Sequence, residues 1–88
     1  MVRVSNMRSN AGNDVANQFI IERGKSTYFQ SYRTIIAKVT NGKTVLDRDA
    51  YDYSVTTMKY LGMFLGHNMK ETREKIASGE YKLRDLNK

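Results

Sequence analysis

The stretch Asp52-Tyr-Ser-Val-Thr-Thr-Met-Lys-Tyr-Leu-Gly-Met-Phe-Leu-Gly66 decides the fold, because it follows the most strand-like region and is the richest run of large apolar side chains. Ser54 is a favourable N-cap, since its hydroxyl can accept a hydrogen bond from a free amide of the first helical turn. Apolar residues then recur at helical spacing: Val55, Met58, Leu61 and Leu65. Gly66 can adopt the left-handed conformation that ends a helix. The pattern predicts a helix from Val55 to Leu65. Gly62, inside this helix, would permit close packing on a sheet.

Short β-forming segments precede this helix and predict a sheet. The predicted strands are Gln18–Arg23, Thr27–Tyr32, Arg33–Val39 and Lys43–Leu46. Asn41-Gly42 predicts a tight hairpin turn between the last two, because both central residues of a type I′ turn need a positive φ. The sequence leaves open whether the third segment continues the second or follows a bend near Ser31. Strict alternation would place Ile35, Ala37 and Val39 on one face of the sheet.

A second helix and a last strand are predicted after Gly66. Asn68 is a favourable cap, and Glu71 three residues later completes a capping-box pattern. Gly79 ends this helix, and the alternating segment Glu80–Arg84 is a candidate strand. Strands followed by helices favour an α+β fold. We therefore predict a small antiparallel meander of three to four strands, then two helices and a short C-terminal strand.

The length of 88 residues predicts one domain with a small core. Residues 1–16 are polar, small and without a sustained period, so we predict a flexible N-terminal tail there. The single α+β domain is expected over residues 17–84, with a frayed end at 85–88. The sequence has no apolar run near the roughly 18 residues that span a membrane, and no signal-peptide pattern, so we expect a cytoplasmic protein.

Residue types that carry catalysis or hold metals are sparse. The chain has no cysteine and one histidine, His67, so we predict no metal site and no cofactor. Asp47, Asp49 and Asp52 are close in sequence, and paired carboxylates can act as acid and base. They flank a strand exit and a helix start, where aspartate is common for turn and capping reasons. We therefore expect a protein that is not an enzyme and has no small-molecule substrate.

Charge and aromatic residues favour a binding role. The 15 basic and 9 acidic residues give a net charge of +6, which favours nucleic acid or an acidic protein surface as partner. Tyrosines beside basic residues on strands can form a stacking platform for single-stranded nucleic acid, or they can simply build the core. The start of the first helix offers free amides, hydroxyls and an ammonium to a phosphate or carboxylate, or is an ordinary cap. The candidate binding residues are Tyr28, Tyr32, Arg33, Lys38, Lys43, Arg48, Tyr53, Ser54, Thr56, Thr57 and Lys59.

Four segments carry recognisable patterns. Phe29–Ala37 has an aromatic-x-Ser-Tyr-x-Thr-x-Ile-Ala pattern and Tyr51–Tyr60 has a Tyr-Ser-x-Thr-Thr-x-Lys pattern, and the other two segments are Asn41–Asp47 and Phe64-Leu65. Together they resemble a family of small bacteriophage proteins without an established activity. The resemblance covers roughly residues 17–66. It implies an accessory protein in the cytoplasm of a bacterial host that acts by binding.

Two partners follow as hypotheses from the charge and this resemblance. The first is nucleic acid. The alternative is a host or defence protein that this protein inhibits, as an anti-CRISPR protein would. A small domain with an exposed hairpin edge can also form a homodimer through that edge.

Overall fold

A six-stranded sheet forms one layer of the fold, and two helices form the other. The computed structural model describes residues 2–9 and 11–87. The strands are β1 (Val2–Arg8), β2 (Asp14–Arg23), β3 (Ser26–Ser31), β4 (Thr34–Thr40), β5 (Lys43–Asp47) and β6 (Lys82–Arg84), and the helices are α1 (Val55–Leu65) and α2 (Met69–Ala77). The strands are ordered β1 to β6 as in the sequence. All neighbours pair antiparallel except β5 and β6, which are parallel because the two helices connect them.

The local signals of the sequence are confirmed. Ser54 caps α1 by accepting a hydrogen bond from the amide of Thr57, and Gly66 ends the helix at a φ of 83°. Asn68 caps α2 by accepting from the amide of Glu71. Asn41 and Gly42 both have positive φ, as the predicted turn requires. The α+β class and the short C-terminal strand are also confirmed, whereas the predicted number of three to four meander strands is too low.

The N-terminal segment is the additional strand. Residues 2–8 were predicted to be a flexible tail, but they form β1, and β2 begins at Asp14 rather than at Gln18. Met7 is the only buried residue of β1, at 5% exposure, so backbone pairing rather than side-chain burial holds this edge strand. A strand with so little burial leaves no alternating apolar pattern in the sequence. Met1, Asn10 and Lys88, which belonged to the predicted tail and frayed end, lie outside the described residues.

A bend separates β3 from β4, and it settles the alternative that the sequence left open. Tyr32 adopts a φ of 56°, and its amide donates to the carbonyl oxygen of Asn17 at 2.7 Å. In the register, Phe29 pairs with Ala37 and Gln30 pairs with Ile35, so β4 bulges at Ile36. The expected common face for Ile35, Ala37 and Val39 is therefore wrong, because one extra residue in a strand reverses the alternation beyond it.

The C-terminal end is held against the sheet instead of fraying. The Asn87 side chain accepts from the amide of Ile35 at 2.7 Å and donates to the Ile35 carbonyl at 3.0 Å. The pairing of β5 with β4 ends at Ala37. The side chain of Asn87 therefore makes the hydrogen bonds to Ile35 that a further paired residue would make. The backbone groups of Ile35 are satisfied in this way.

The core lies between the helices and one face of the sheet. Phe29, Ala37 and Leu46 are fully buried in adjacent strands and are paired in register. The Phe29 ring stacks on Phe64 of α1 with centroids 5.7 Å apart, and Leu61 of α1 is also fully buried. Met69 and Ile76 of α2 also pack against this core cluster, so both helices cover this face.

Gly62 is held close to a backbone carbonyl and not, as expected, to a sheet. A Cβ at this position would lie 2.7 Å from the carbonyl oxygen of His67. The carbonyl of Gly62 in turn accepts from the amides of Gly66 and His67, so the turn cannot move freely away.

We expect Gly62→Ala to lower the free energy of unfolding by about 1–3 kcal/mol, the range for overpacking. In an open helix interior the same change would stabilise by roughly 1 kcal/mol. Urea denaturation measures the difference. The control is Lys70→Ala at an exposed position of α2, where we expect a change within about 0.5 kcal/mol. A stabilised Gly62→Ala variant would contradict the close approach.

Candidate functional site

Three of the predicted binding residues, Tyr28, Lys38 and Lys43, lie on the face of the sheet opposite the core. The strand register shows which side chains lie on this face, because paired residues of adjacent strands point to the same face. One row across β1 to β6 holds Val4, Ile21, Tyr28, Lys38, Val45 and Lys82. A neighbouring row in β2 to β4 holds Phe19, Gln30 and Ile35. We call this surface the open face, since neither described helix covers it.

Tyr28 and Lys38 lie together at the centre of the open face. The Lys38 ammonium lies 5.8 Å from the centroid of the Tyr28 ring, and both residues are half-buried. Their pairing in register produces this contact. An aromatic ring beside a cation is the combination that binds a stacked base and its phosphate.

The open face is also cationic. Between Phe19 and Arg84, the charged residues at strand positions sharing this face are Arg23, Lys38, Lys43, Lys82, Arg84 and Asp47. Asp47 is the one acidic member among these described positions, and it is only 4% exposed. Its Oδ1 accepts from the Leu86 amide at 2.8 Å and from Asn87 Nδ2 at 3.0 Å. The carboxylate is thus engaged by the C-terminal segment, and the accessible charges of this face between Phe19 and Arg84 are positive. Outside that range, the exposed Asp14 at the start of β2 forms an ion pair with Arg8 of β1 at 3.7 Å.

The second group of predicted residues surrounds a cleft of about 660 Å³ at the N-terminal end of α1, which we call the α1 cleft. The bend after β3 forms one wall, and the start of α1 forms the other. The predicted residues that line it are Tyr32, Arg33, Tyr53, Ser54, Thr56 and Thr57. Two separate stretches of sequence therefore contribute to one site.

Hydrogen-bond donors are available at the helical wall of the cleft. Ser54 Oγ accepts from the Thr57 amide at 3.1 Å and donates to Thr57 Oγ1 at 3.0 Å. The amides of Val55 and Thr56 have no hydrogen-bond acceptor within the helix, as in the first turn of every helix. The positive end of the helix dipole adds to their attraction for an anion.

Ser31 lies at the sheet wall of the cleft and was not predicted as a site residue. It is 4% exposed, and its Oγ has no hydrogen-bond partner within residues 2–9 and 11–87. Gln18 pairs with Ser31 in register, is 1% exposed, and its Oε1 is likewise unpartnered among those residues. No sequence signal marked these two residues, because the lack of a partner is a tertiary property.

The remaining predicted residues occupy other positions. Lys43 lies on the open face beside the hairpin turn. Arg48 follows β5 and does not line the α1 cleft, and its amide donates to the Arg84 carbonyl at 2.8 Å. Lys59 lies 5.3 Å from the Tyr60 ring and lines an apolar groove with Met58 and Met63. Lys82 and Arg84, in contrast, were not predicted, because the parallel pairing of β6 with β5 has no local sequence signal.

The perturbed titratable groups lie on α2 and in the segment that follows it, away from both surfaces. Burial raises the pKa of Tyr81, whose hydroxyl lies 2.7 Å from Nε2 of His67. The hydrogen bond from Lys75 to Glu80, at 2.7 Å, raises the pKa of Lys75. These contacts attach the segment before β6 to the helices. Within the described ranges, no group of three His, Cys, Asp or Glu residues could hold a metal ion.

The structure is a small α+β protein with helices on one face of its sheet and a cationic second face. The chain belongs to the family of unknown function DUF8033, whose model matches residues 2–80. Searches of the curated proteins and of the solved structures found no match. Neither helix in the described part of the chain is long and apolar enough to cross a membrane.

Proposed function

We propose that this protein binds single-stranded nucleic acid on the open face without catalysing a reaction. The observation that carries the proposal is the central Tyr28–Lys38 pair, with a ring-to-ammonium distance of 5.8 Å. The accessible charges of this face between Phe19 and Arg84 are positive. Stacking on an aromatic ring tolerates any base, and lysine and arginine contacts to phosphates are independent of sequence. The expected partner is therefore a flexible single strand with little sequence preference.

The shape of the open face supports a single strand over a duplex. Phe19 and Ile21 are half-buried neighbours of Tyr28, so apolar surface surrounds the central ring. Unstacked bases can cover such surface, whereas a duplex presents phosphates and grooves. The resemblance of residues 17–66 to phage proteins adds an accessory role in a bacterial host to this proposal.

Charge reversal on the open face tests the proposal. We expect Lys38→Glu combined with Lys82→Glu to weaken binding to labelled single-stranded DNA or RNA by roughly tenfold or more near 50 mM salt. The slope of log affinity against log salt should fall by about 2, because two phosphate contacts are lost. Fluorescence anisotropy at several salt concentrations measures both quantities.

The matched control is Lys70→Glu combined with Arg73→Glu on α2, which makes the same change in net charge away from the open face. We expect it to keep the wild-type salt slope. Equal losses in both double variants would show that net charge alone attracts the strand. No binding by the wild-type protein near 50 mM salt would reject the proposal.

A second candidate function is the inhibition of a host or defence protein by direct binding. The supporting observation is the apolar groove along α1, where Val55 is 79% exposed and Met63 is 37% exposed. Exposed apolar groups that line one groove are typical of protein contacts. Met63→Lys should then remove any partner that the wild-type protein captures stoichiometrically from a bacterial lysate, and unchanged capture would contradict this function.

A further inference from the structure

One buried polar group that lines the α1 cleft is left unsatisfied by the described residues of the protein. Ser31 lines the cleft with 4% exposure, and its Oγ has no partner among the described residues. A buried hydroxyl without a hydrogen bond is unfavourable, and folded proteins rarely retain one without a reason. A bound group with acceptor oxygens would satisfy it.

The wall opposite Ser31 is suited to an anion. Thr56 lines the cleft, and Val55 precedes it in the first turn of α1, where the amides have no acceptor within the helix. The positive end of the helix dipole also lies there. Arg33 is exposed on the bend and lines the same cleft, and its guanidinium can bind two oxygens of one phosphate. Among the described residues that line this cleft, none is acidic.

The mouth of the cleft is suited to a flat ring. Tyr32 is 61% exposed and Tyr53 is 82% exposed, and the two tyrosines come from opposite walls. Exposed aromatic rings gain stability by stacking on another ring. The volume of about 660 Å³ is within the range of small-molecule sites.

We propose that the α1 cleft binds a mononucleotide, in which a sugar joins a phosphomonoester to an aromatic base, with the phosphate at the first turn of α1. The base stacks on Tyr32 or Tyr53, and Arg33 and the Ser31 hydroxyl contact the phosphate. The group comes either from a free nucleotide or from the phosphorylated 5′ end of a strand. This site goes beyond the proposed function, because the open face can bind a strand whether or not the cleft is filled.

The test is titration of the isotope-labelled full chain with adenosine 5′-monophosphate, followed by amide chemical shifts. We expect saturable shifts at Ser31, Val55 and Thr56. Adenosine and inorganic phosphate are the matched probes, and each should bind at least about tenfold more weakly, because each lacks half of the contacts. A short oligonucleotide with and without a 5′ phosphate identifies the source: tighter binding than the mononucleotide, only when phosphorylated, assigns the site to strand ends.

Two variants separate a ligand contact from a structural role. Arg33→Gln should weaken the mononucleotide about tenfold or more, whereas Arg48→Gln, the same charge change outside the cleft, should not. Ser31→Ala should weaken it by roughly threefold to tenfold. The melting temperature of the free protein should stay the same or rise, since the lost hydroxyl has no partner in residues 2–9 and 11–87.

Unchanged affinity in both Arg33→Gln and Ser31→Ala would overturn the proposal, as would equal binding of adenosine and its monophosphate, or of inorganic phosphate and the monophosphate. Absent shifts at the first turn of α1 would do the same. The Lys38→Glu/Lys82→Glu variant should retain mononucleotide binding, so failure at the cleft and failure at the open face are distinguished.

Discussion

Phe29→Ala is expected to lower the free energy of unfolding by about 3–5 kcal/mol, the range for removing a fully buried aromatic side chain. Phe29 has no exposed surface, lies opposite Ile20 and Ala37 in the sheet, and stacks on Phe64 with centroids 5.7 Å apart. Both the sheet and α1 therefore lose contacts. Since small domains have a total stability of roughly 5–15 kcal/mol, the variant should lose a large fraction of that stability.

Phe19→Ala is the matched control, because it removes the same side chain from the other face of the sheet. Phe19 is half-buried and lies outside the core cluster. We expect a loss of about 1–2 kcal/mol, in proportion to the smaller buried area. Urea denaturation followed by far-UV circular dichroism compares the two variants. Equal losses would show that the two faces are buried to the same extent, and would contradict the open face.

Asp47→Ala has the second largest expected effect, a loss of about 2–4 kcal/mol, because it removes a buried charged acceptor of several hydrogen bonds. Asp47 Oδ2 accepts from the Asp49 amide at 3.2 Å, and Oδ1 accepts from Leu86 and Asn87. The carboxylate therefore joins the end of β5 to the C-terminal segment. Without it, we expect residues 85–87 to detach and their amides to exchange rapidly with solvent.

Asp49→Ala is the control for Asp47→Ala, since Asp49 is an exposed carboxylate two residues away. Its replacement should change stability by no more than about 0.5 kcal/mol. A double-mutant cycle with Asn87→Ala measures the link directly, because groups in one hydrogen-bond network do not act additively. Additive effects of Asp47→Ala and Asn87→Ala would contradict a shared C-terminal attachment.

Asp47, Asp49 and Asp52 are the aspartates for which the sequence suggested catalysis as an alternative role. The Asp47 carboxylate is enclosed by backbone and side-chain donors at the end of the sheet. Asp49 and Asp52 are exposed and line none of the clefts described above. The stability of the C-terminal segment is the property that we expect Asp47 to control.

The sequence by itself determined the local elements and their chemistry. Ser54 and Gly66 set both ends of α1, and Asn41-Gly42 set the hairpin, because caps and tight turns depend on neighbouring residues alone. The same holds for the α+β order of strands before helices. Most of the residues proposed to bind at the two surfaces could also be named from residue type and position.

Tertiary structure alone decided which of these residues share a surface. The bend at Tyr32 brings the end of β3 to the start of α1, so Arg33 and Ser54 line one cleft. Parallel pairing of β6 places Lys82 on the open face, and β1 is a strand because β2 supplies its backbone partners. Asn87 and the bulge at Ile36 likewise depend on residues distant in sequence. Hydrogen bonds between distant strands form only when the chain folds, and so does the burial of Ser31 without a partner among the described residues. No local sequence pattern could therefore predict them.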